Sequence, residues 1–576
     1  MALVPGLQGV SLAQDTAPVA APLEAAPGRP AQPVPIPLAP EVKGNRPKSD
    51  PTVLPPAATE LEPGLRPLAS PPSLALPTRP AQVKIQQLRP LGLREVETLA
   101  ETNNPNLKAV ASQVDQAKSN LRAQIALWYP TIDLNANGLP SYTAGSQYRT
   151  RTIPSLPGSP ATFFSPAVEP STRRIQGTST TTSIWAMDAT LRVNWDLINP
   201  QRVPQISAAR DQFEQAQNQY LIALRDLRLQ AAQNYFNLQL ADEGVRIGQE
   251  SVRASLVSLK DARARFQAGV STKLEVLQAE TQLARDQQLL TNSLAEQSVA
   301  RRALASLLDL PQDVTPTAKE PARVVGTWMP SLQESIVAAY AFREELDQVI
   351  LQISVANSNA NAAIGAVQPF LRIVNSFRVG SSYGFEQTTG QPLNGQNWSV
   401  DNAIGLNLSW NLFDGGRAAA QYRQQKQAAE EQRFTFADRR DQIRLEVETS
   451  FYLLLQNNRD ITTTSRSVIS SREALRLARL RFQAGVTTQR EVVDSQRDLT
   501  QAEVSYARAV TDYNRQLAAL RRRTGLDQVA FCQPPTLPSS KPASDPTTQI
   551  PIEPQPLLPA CQSEVRTPDG RGPLSP

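Results

Sequence analysis

The chain contains a block of sequence that occurs twice, 216 positions apart. The six residues Arg265–Val270 return unchanged as Arg481–Val486. When the comparison is extended to Ala262–Leu283 against Ala478–Leu499, 12 of 22 positions are identical. This spacing is far longer than the roughly 20–45 residues of a solenoid repeat. The duplication therefore predicts two similar half-proteins that lie side by side.

The prolines are concentrated at the two ends of the chain. Of 48 prolines in 576 residues, 20 lie in residues 1–90 and 12 lie after residue 533. None occurs in residues 205–310 or 393–533. Because a proline inside a helix costs about 3 kcal/mol, these two intervals can hold very long helices. We predict a disordered N-terminal arm, two structural repeats and a disordered C-terminal tail, at residues 1–84, 85–330, 331–530 and 531–576.

Both terminal segments carry a feature that has two interpretations. Met1–Gln14 resembles the end of a secretory signal, but it lacks a basic start and a continuous apolar stretch. It is either a truncated signal or ordinary disordered sequence. Cys532 and Cys561 lie in or beside the C-terminal tail, where they either pair in an oxidising compartment or remain free thiols.

The composition excludes several classes of function. The chain has no histidine, which rules out His-based catalytic triads and the usual zinc sites. No clustered pair of acids marks an enzyme active site, so we predict no catalysis, metal or cofactor. The 58 basic and 53 acidic residues are dispersed together, which argues against a nucleic-acid partner. No apolar run reaches the roughly 18–20 residues of a membrane-spanning helix.

Each half contains one very long helix and one shorter returning helix. In the first half, Asn199 and Pro200 predict an N-cap and a first-turn proline for a helix that ends near Gln267 and is about 95 Å long. Gly269 then ends this helix, and Thr272–Glu275 matches a capping box for a returning helix that stops before Pro311.

Shorter helices precede the strands in both halves. Leu93–Leu127 predicts one helix of about 35 residues, which we expect to stack end to end with the returning helix and so match the long one. The second half repeats the order. It has a helix over Ser331–Val367, a long helix that ends at Gln483 before Gly485, and a returning helix that ends near Arg523.

Two strands of alternating apolar and polar residues precede each long helix. The first half predicts strands of about ten residues around Ile132–Ala136 and Trp185–Leu197, joined by a Ser/Thr/Pro-rich loop to about residue 183. The second half predicts Leu371–Val379 and Ile404–Leu412, joined by a Gly/Asn-rich loop. Such strands are typical of transmembrane β-barrels and also of half-buried soluble sheets. Four strands cannot close a barrel, and an open edge is forbidden in lipid, so several chains must share one barrel.

Two motifs resemble signatures of the TolC family of outer-membrane efflux channels. Trp410–Arg417 resembles that family's strand-to-helix junction, and Ala484–Asp494 resembles its helix turn. The resemblance covers about residues 85–530. It implies a mainly α-helical protein with a β-barrel part. Duplicated helical hairpins form an α-barrel, and four transmembrane strands per chain close as a 12-stranded barrel in a homotrimer. The short segments after Pro311 and Gly525 belong to a mixed belt around the helices.

The resemblance also implies a function, a location and partners. The function is the outer-membrane channel of a tripartite efflux or type I secretion system. The protein then lies in the outer membrane, in contact with its lipid, and extends into the periplasm. Its partners are a periplasmic adaptor protein and an inner-membrane transporter.

The resemblance assigns candidate residues to three places. The strand-to-helix junctions are Asn199, Pro200, Asp414, Gly415 and Gly416. The adaptor-docking helix tips are Ala268, Gly269, Val270, Ala484, Gly485 and Val486. The channel constriction is Glu491 and Asp494, with Glu in place of the family's usual Asp at the first position. Alternatively, the two tip glycines only end helices, and Glu491 only completes the capping box of Thr488. Phe482 and Thr487 replace the family's closing tyrosine and arginine, so neither reproduces a charged or hydroxyl-mediated latch.

An elongated periplasmic coiled-coil scaffold without a channel is the alternative function. It keeps the helices and treats the strands as a soluble sheet. Aromatic residues near the predicted strand ends argue against it, because such girdles mark membrane interfaces. These residues are Trp128, Tyr129, Trp185, Trp195 and Trp410.

Overall fold

The structure is a computed structural model that describes most of residues 56–531. The described residues are 56–72, 74–153, 158, 163, 174–388, 391–527 and 529–531. The predicted arm up to residue 55 and the predicted tail from residue 532, with Cys532 and Cys561, lie outside these ranges.

The two repeats contain the same main elements in the same order. The first repeat consists of β1 (Gln87–Leu91), α1 (Leu93–Asn103), α2 (Pro105–Ile125), β2 (Thr131–Ile153), β3 (Arg174–Ile198), α3 (Arg202–Gln267), α4 (Lys273–Leu307), β4 (Val314–Ala318) and β5 (Gly326–Trp328). The second consists of α5 (Leu332–Phe342), α6 (Glu344–Gly365), β6 (Phe370–Thr388), β7 (Gln391–Ser409), α7 (Arg417–Gln483), α8 (Gln489–Thr524) and β8 (Val529–Phe531).

Each repeat is built on one continuous helix and one composite rod. The continuous helices α3 and α7 have 66 and 67 residues, which is about 100 Å at 1.5 Å per residue. Helices α2 and α4 both pack on α3, and α6 and α8 both pack on α7. The Nδ2 atom of Asn104, which caps α2, donates to the carbonyl of Leu307 at 2.9 Å. The predicted end-to-end stacking is therefore confirmed in the first repeat.

The predicted helix over Leu93–Leu127 is wrong in one respect, because it is two helices. The chain breaks between α1 and α2, where the side chain of Asn104 accepts from the N–H of Leu107 at 3.1 Å and Pro105 opens α2. Asparagine as N-cap and proline as the first helical residue are the preferred start of a helix. This break was visible in the sequence and was missed there.

The predicted helix over Ser331–Val367 is also divided, for a different reason. Arg343 adopts an extended conformation between α5 and α6. Its guanidinium is almost completely buried and pairs with Glu345 at 2.8 Å and with Glu446 of α7 at 2.6 Å. A buried arginine needs such partners, and the break in the helix directs the side chain toward them.

The four long strands form one antiparallel sheet in the order β2–β3–β6–β7. They have 19 to 25 residues, so the prediction of ten-residue strands joined by long loops is wrong. The alternating apolar segments cover only the part of each strand next to the helices. Beyond them the sheet continues through Ser- and Thr-rich sequence, with Gln147 opposite Thr180. Polar β-branched residues favour strands, and antiparallel pairing satisfies their backbones.

Part of the predicted N-terminal arm is ordered on the first repeat, which corrects the expectation of disorder for residues 56–72. Leu65 and Leu68 are buried in the same apolar cluster as Leu99 of α1 and Phe236 of α3. The amide of Asn103 donates to the carbonyl of Leu68 at 2.7 Å. Prolines favour extended segments. The segment over residues 56–72 is held in place by two buried leucines and by hydrogen bonds that side chains donate to its backbone carbonyls.

The short strands lie beside the helices. β1 pairs with β4 in parallel, and β5 pairs with β8 in an antiparallel arrangement. The segments after Pro311 and Gly525 thus both contain a strand. Each repeat has its own apolar cluster at this level, the second one around Ile443, Val447 and Leu517.

Candidate functional site

The two helical turns at residues 268–272 and 484–488 have the same backbone geometry. Gly269 and Gly485 both have a φ of +74°, a conformation that favours glycine. The N–H of Val270 bonds to the carbonyl of Arg265, and that of Val486 bonds to the carbonyl of Arg481, each at 3.0 Å. The N–H groups of Gly269 and Gly485 bond to the carbonyls of Phe266 and Phe482 at 3.0 and 3.1 Å. Together these bonds make a Schellman motif at the end of each long helix.

All six predicted tip residues are exposed in the structure. The side chains of Val270 and Val486 are 73% and 67% exposed. The turns therefore expose small and apolar groups. The two glycines also end the long helices, as the alternative interpretation stated.

The predicted capping boxes at the two turns are not formed. Thr272 and Thr488 are N-caps by position, but their side chains make no capping hydrogen bond. In the second turn, the Glu491 carboxylate instead accepts from Arg481 at 2.8 Å and from the hydroxyl of Thr487. A charge-assisted bond to arginine is stronger than one to a neutral backbone N–H, so the guanidinium takes the carboxylate.

Asp494 is half exposed on the same helix, one turn after Glu491. It lies 3.7 Å from Arg490 and 3.4 Å from Arg497, its neighbours along α8. Exposed pairs of this kind contribute little to stability. The structure thus places both predicted constriction carboxylates on one face near the tip, each next to arginine.

A cleft of about 300 Å³ separates α4 from α8 beside Asp494. Leu274 and Leu277 form its apolar wall, and Arg285 and Arg490 line its polar side. Deeper between α3 and α4, burial raises the pKa of Asp286 above its usual value, although Ser255 and Gln282 donate to its carboxylate.

Phe482 and Thr487 have specific partners that the sequence did not predict. The guanidinium of Arg265 lies 4.0 Å from the ring centre of Phe482 and donates to the Phe482 carbonyl at 2.8 Å. This contact joins the end of α3 to the end of α7. Thr487 does form a hydroxyl-mediated bond, but to Glu491 within its own turn.

The second strand-to-helix junction is organised by Asp414. Its carboxylate accepts from the N–H groups of Gly416 and Ala418 at 2.8 and 2.7 Å. The bond from Ala418 is the main reason why the pKa of Asp414 lies below its usual value. Gly415 and Gly416 have φ values of +70° and +85°, which only glycine adopts readily.

The first junction uses a related arrangement that differs from the prediction. Asn199 does not cap α3, because the helix starts at Arg202 and the N-cap position is Gln201. The side chain of Asn199 instead accepts from the N–H of Gln201 at 3.0 Å, which makes an Asx-turn around Pro200. Both junctions therefore begin with a side-chain acceptor followed by a sharp turn.

Two tryptophans make hydrogen bonds at the junctions that the sequence did not predict. The indole N–H of Trp195 donates to the carbonyl of Trp128, and that of Trp410 donates to the carbonyl of Val367, both at 3.1 Å. Each bond ties the last part of a strand to the end of the helix that precedes the hairpin. The signal was present in the sequence, because both tryptophans stand four residues before the junction acceptor.

A second row of aromatic residues crosses the sheet farther from the helices. The register places Tyr142 opposite Trp185, and Trp185 opposite Tyr383. Trp185 was expected near a strand end but lies inside β3. Between it and Trp195 on the same face stand Met187, Ala189, Leu191 and Val193. Ten residues of a strand span about 33 Å, which becomes about 25 Å with the usual tilt of barrel strands.

No helix in the described ranges is long and apolar enough to cross a membrane. Within the same residues, no group of three or more acidic or cysteine side chains is arranged to hold a metal ion.

Solved structures of membrane proteins share this fold. The structure resembles CusC with a TM-score of 0.58 and 18% identity, covering 79% of this chain and 98% of that one. It resembles VceC from Vibrio cholerae with a TM-score of 0.55 and 16% identity, covering 75% of this chain and 96% of that one. The fold, with its duplicated hairpins and its sheet, is thus shared with these two proteins.

The sequence comparisons identify the family. The profile described as "Outer membrane efflux protein" matches residues 98–309 and 336–526, which is more than half of the chain. The chain therefore belongs to the outer membrane efflux protein family, whose members are channels rather than enzymes. It is a transport protein of the outer membrane that extends into the periplasm.

Two named relatives are distant in sequence. The chain is 22% identical over 336 residues to outer membrane protein TolC of Vibrio cholerae. The match covers 56% of this chain and 72% of that protein. It is 26% identical over 297 residues to the pyoverdine export outer membrane protein OpmQ of Pseudomonas putida. That match covers 51% of this chain and 60% of the relative.

Proposed function

We propose that three copies of this chain close a 12-stranded β-barrel in the outer membrane. The observation that carries this proposal is the pair of sheet edges. In the described residues, β2 and β7 each pair on one side only. Lipid offers no partner for a free backbone N–H or carbonyl, so β7 of one copy must pair with β2 of the next. The apolar band between two aromatic rows fits the bilayer thickness.

The helical hairpins then extend from the barrel into the periplasm as one tunnel. Its tips at residues 268–272 and 484–488 receive a periplasmic adaptor, which connects the channel to an inner-membrane transporter. The system is a tripartite efflux or type I secretion machine. The exposed valines at the tips support a docking role, and the relative OpmQ is an export protein of the outer membrane.

The trimer is tested by multi-angle light scattering of the detergent-purified protein. The expected mass is three times 62.9 kDa after correction for detergent. A monodisperse monomer would overturn the shared barrel. The same preparation is then inserted into planar bilayers. A stable trimer that never conducts would favour the periplasmic scaffold.

The constriction is part of this proposal. Three copies of Glu491 and Asp494 place six carboxylates around one axis, where they attract cations. Multivalent cations added on the periplasmic side should block conductance in the wild type, and Asp494→Asn with Glu491→Gln should weaken that block. Asp512→Asn is the matched control, because this exposed acid of α8 also pairs with an arginine three residues on. Equal block in the wild type and the double variant would show that these acids do not line the constriction.

The docking role is tested at the tips. Val486→Asp removes an exposed apolar side chain without straining the turn, and Gly485→Val strains it directly. Both variants should lose crosslinking to the adaptor while the trimer persists. A variant that loses the trimer as well would indicate a structural role only.

A further inference from the structure

One pair of sequence offsets relates the two repeats. The two junction tryptophans stand 215 positions apart, and the residues whose carbonyls accept their indole N–H groups stand 239 positions apart. In the first hairpin Ile132 pairs with Val193. The two offsets turn this pair into Leu371 and Leu408, which pair in the second hairpin. The two hairpins therefore share one strand register.

The same offsets hold for the helices. Helices α1 and α2 start 239 positions before α5 and α6, and α3 starts 215 positions before α7. The first repeat contacts the second where β3 pairs with β6 and where α3 packs on α6. The equivalents of β3 and α3 are β7 and α7, and the equivalents of β6 and α6 are β2 and α2. In the described residues, β7 pairs with β6 alone and β2 with β3 alone.

We propose that β2 and α2 of a second copy bind to β7 and α7, and that this contact repeats the contact between the two repeats residue by residue. The proposed function supplies the neighbouring copy, and the inference rests on it to that extent. The offsets then define the strand register between copies and the side chains that meet there.

The strand register follows from the pairs between β3 and β6. Across this pairing Arg192 lies opposite Ser376. The offsets convert this pair into Asn407 of one copy and Asn137 of the next. Both are polar residues with an amide side chain, which donates and accepts hydrogen bonds.

The faces of the two edge strands agree with this register. The residue after Asn407 is Leu408, and the register places it opposite Ala136, which belongs to the apolar face of β2. A shift by one residue would place Leu408 opposite an asparagine and would reverse the faces of the whole strand. The apolar faces of neighbouring copies are therefore continuous only in a register of this parity.

The helices of the two copies meet through opposite charges. Where α3 packs on α6, the hydroxyl of Ser354 donates to the carboxylate of Asp211. The equivalent residues are Asp115 on α2 and Lys426 on α7, and both are exposed. Within its own copy Lys426 donates to the neutral amide of Asn357 at 2.9 Å. The neighbouring copy thus offers the lysine a carboxylate, and such complementary charges fix the register of an interface.

An exposed phenylalanine lies two turns farther along α7. The side chain of Phe434 is 71% exposed. Its equivalent on α3 is Gln219, which accepts a hydrogen bond from Gln348 of α6 at 2.9 Å. The equivalent of Gln348 on α2 is Ala109, whose small side chain leaves room for a ring. Phe434 therefore packs on Ala109 of the neighbouring copy, in keeping with the enrichment of aromatic residues in interface cores.

The strand register is tested by disulfide crosslinking of the detergent-purified protein. The native Cys532 and Cys561 are first replaced by serine. Ser409→Cys and Asn135→Cys are then combined in one chain, because the offsets place these two positions opposite each other between copies. Cα atoms of opposite residues in an antiparallel pair lie about 4.5–5.5 Å apart, which allows a disulfide. Oxidation should give covalent trimers on a non-reducing gel.

The matched control shifts one cysteine by two residues on the same face. Asn407→Cys with Asn135→Cys should give far less crosslinked product, because diagonal neighbours lie about 7–8 Å apart. More product from this control than from the Ser409 and Asn135 pair would overturn the register. Light scattering of the same samples separates the two proposals. A trimer that crosslinks only in the control register refutes this inference and leaves the shared barrel standing, whereas a monomer refutes the barrel.

The helix contact is tested by reversing its charges. Lys426→Glu and Asp115→Lys should each lower the temperature at which the trimer dissociates in detergent, and the two together should restore it. A double variant that dissociates at least as easily as either single variant would overturn the ion pair between copies.

The contact of the exposed phenylalanine is tested separately. Phe434→Ser should also lower the dissociation temperature of the trimer. Gln219→Ser is its matched control, since the equivalent contact lies inside one chain, and it should leave that temperature unchanged. Equal effects of the two variants would show that Phe434 does not lie between copies.

Discussion

The composite rods of the two repeats are interrupted at equivalent places by different chemistry. In the first repeat, the joint between α1 and α2 is made by Asn104 and Pro105 and rests on an apolar cluster that includes Leu99 and Phe236. In the second, the joint between α5 and α6 is made by buried Arg343, with Glu345 also bonded to Arg522 of α8 at 2.7 Å. The first joint is fixed by local backbone preferences, and the second is fixed by charges from distant parts of the chain. A duplicated architecture can thus be retained while its stabilising interactions diverge.

The largest effect is expected when the second joint is disrupted. Glu345→Gln leaves the guanidiniums of Arg343 and Arg522 buried without their shared carboxylate, and removing one partner of such a pair costs about 3–5 kcal/mol. Hydrogen exchange of the detergent-solubilised protein should show lost protection in α6 and in α7 around Val447, with α1 and α2 unchanged. Equal loss at both joints would contradict their independence.

Acidification should distinguish the joints without any mutation. Burial alone raises the pKa of Glu345, but hydrogen bonds from Arg343 and the charge of Arg522 outweigh it and hold the pKa well below its usual value. The folded state therefore gains stability from Glu345 above its ordinary pKa of about 4.3, and loses it as the pH falls below that value.

Helix α1, which leads into the first joint, should respond to acid in the opposite direction. Burial raises the pKa of Glu97 in α1, despite the nearby charge of Arg521. Its contribution to stability is present at low pH and is lost as the pH rises through the folded pKa. Between about pH 5 and pH 3, protection factors, which correct for the intrinsic pH dependence of exchange, should therefore fall at the second joint and not at the first. A fall at the first joint alone would contradict this assignment.

A smaller effect is expected when a mutation weakens the first joint. Asn104→Ala removes the cap of α2 and the bond to the Leu307 carbonyl, and the loss of such a cap costs about 1 kcal/mol. Protection should fall at the start of α2 and the end of α4. Asn104→Asp restores an acceptor for the N–H of Leu107 and should recover the α2 part of that loss.

The smallest effect is expected at the two tips. Because the side chains of Thr272 and Thr488 make no capping bond, Thr272→Ala and Thr488→Ala should each change local stability by less than about 0.5 kcal/mol. Hydrogen exchange at the starts of α4 and α8 measures both. A cost near that of Asn104→Ala at either position would show that the threonine caps its helix after all.

The sequence by itself determined the features that depend on a few neighbouring residues. The repeated Ala-Gly-Val ends α3 and α7 because glycine alone readily adopts a φ of +74°. Asp414-Gly415-Gly416 makes a sharp turn for the same reason, and proline-free intervals allowed helices of 66 and 67 residues. Local backbone preferences are strong and act within one turn of chain, so the sequence carries them directly.

Only the tertiary structure decided which partner each charged side chain takes. Arg265 and Arg481 stand in identical hexapeptides, yet one crosses to Phe482 and the other folds back onto Glu491. The break at Arg343 likewise depends on Glu446, 103 residues away. The strength of an ion pair is set by burial and by which helices pack together, and a sequence pattern contains neither.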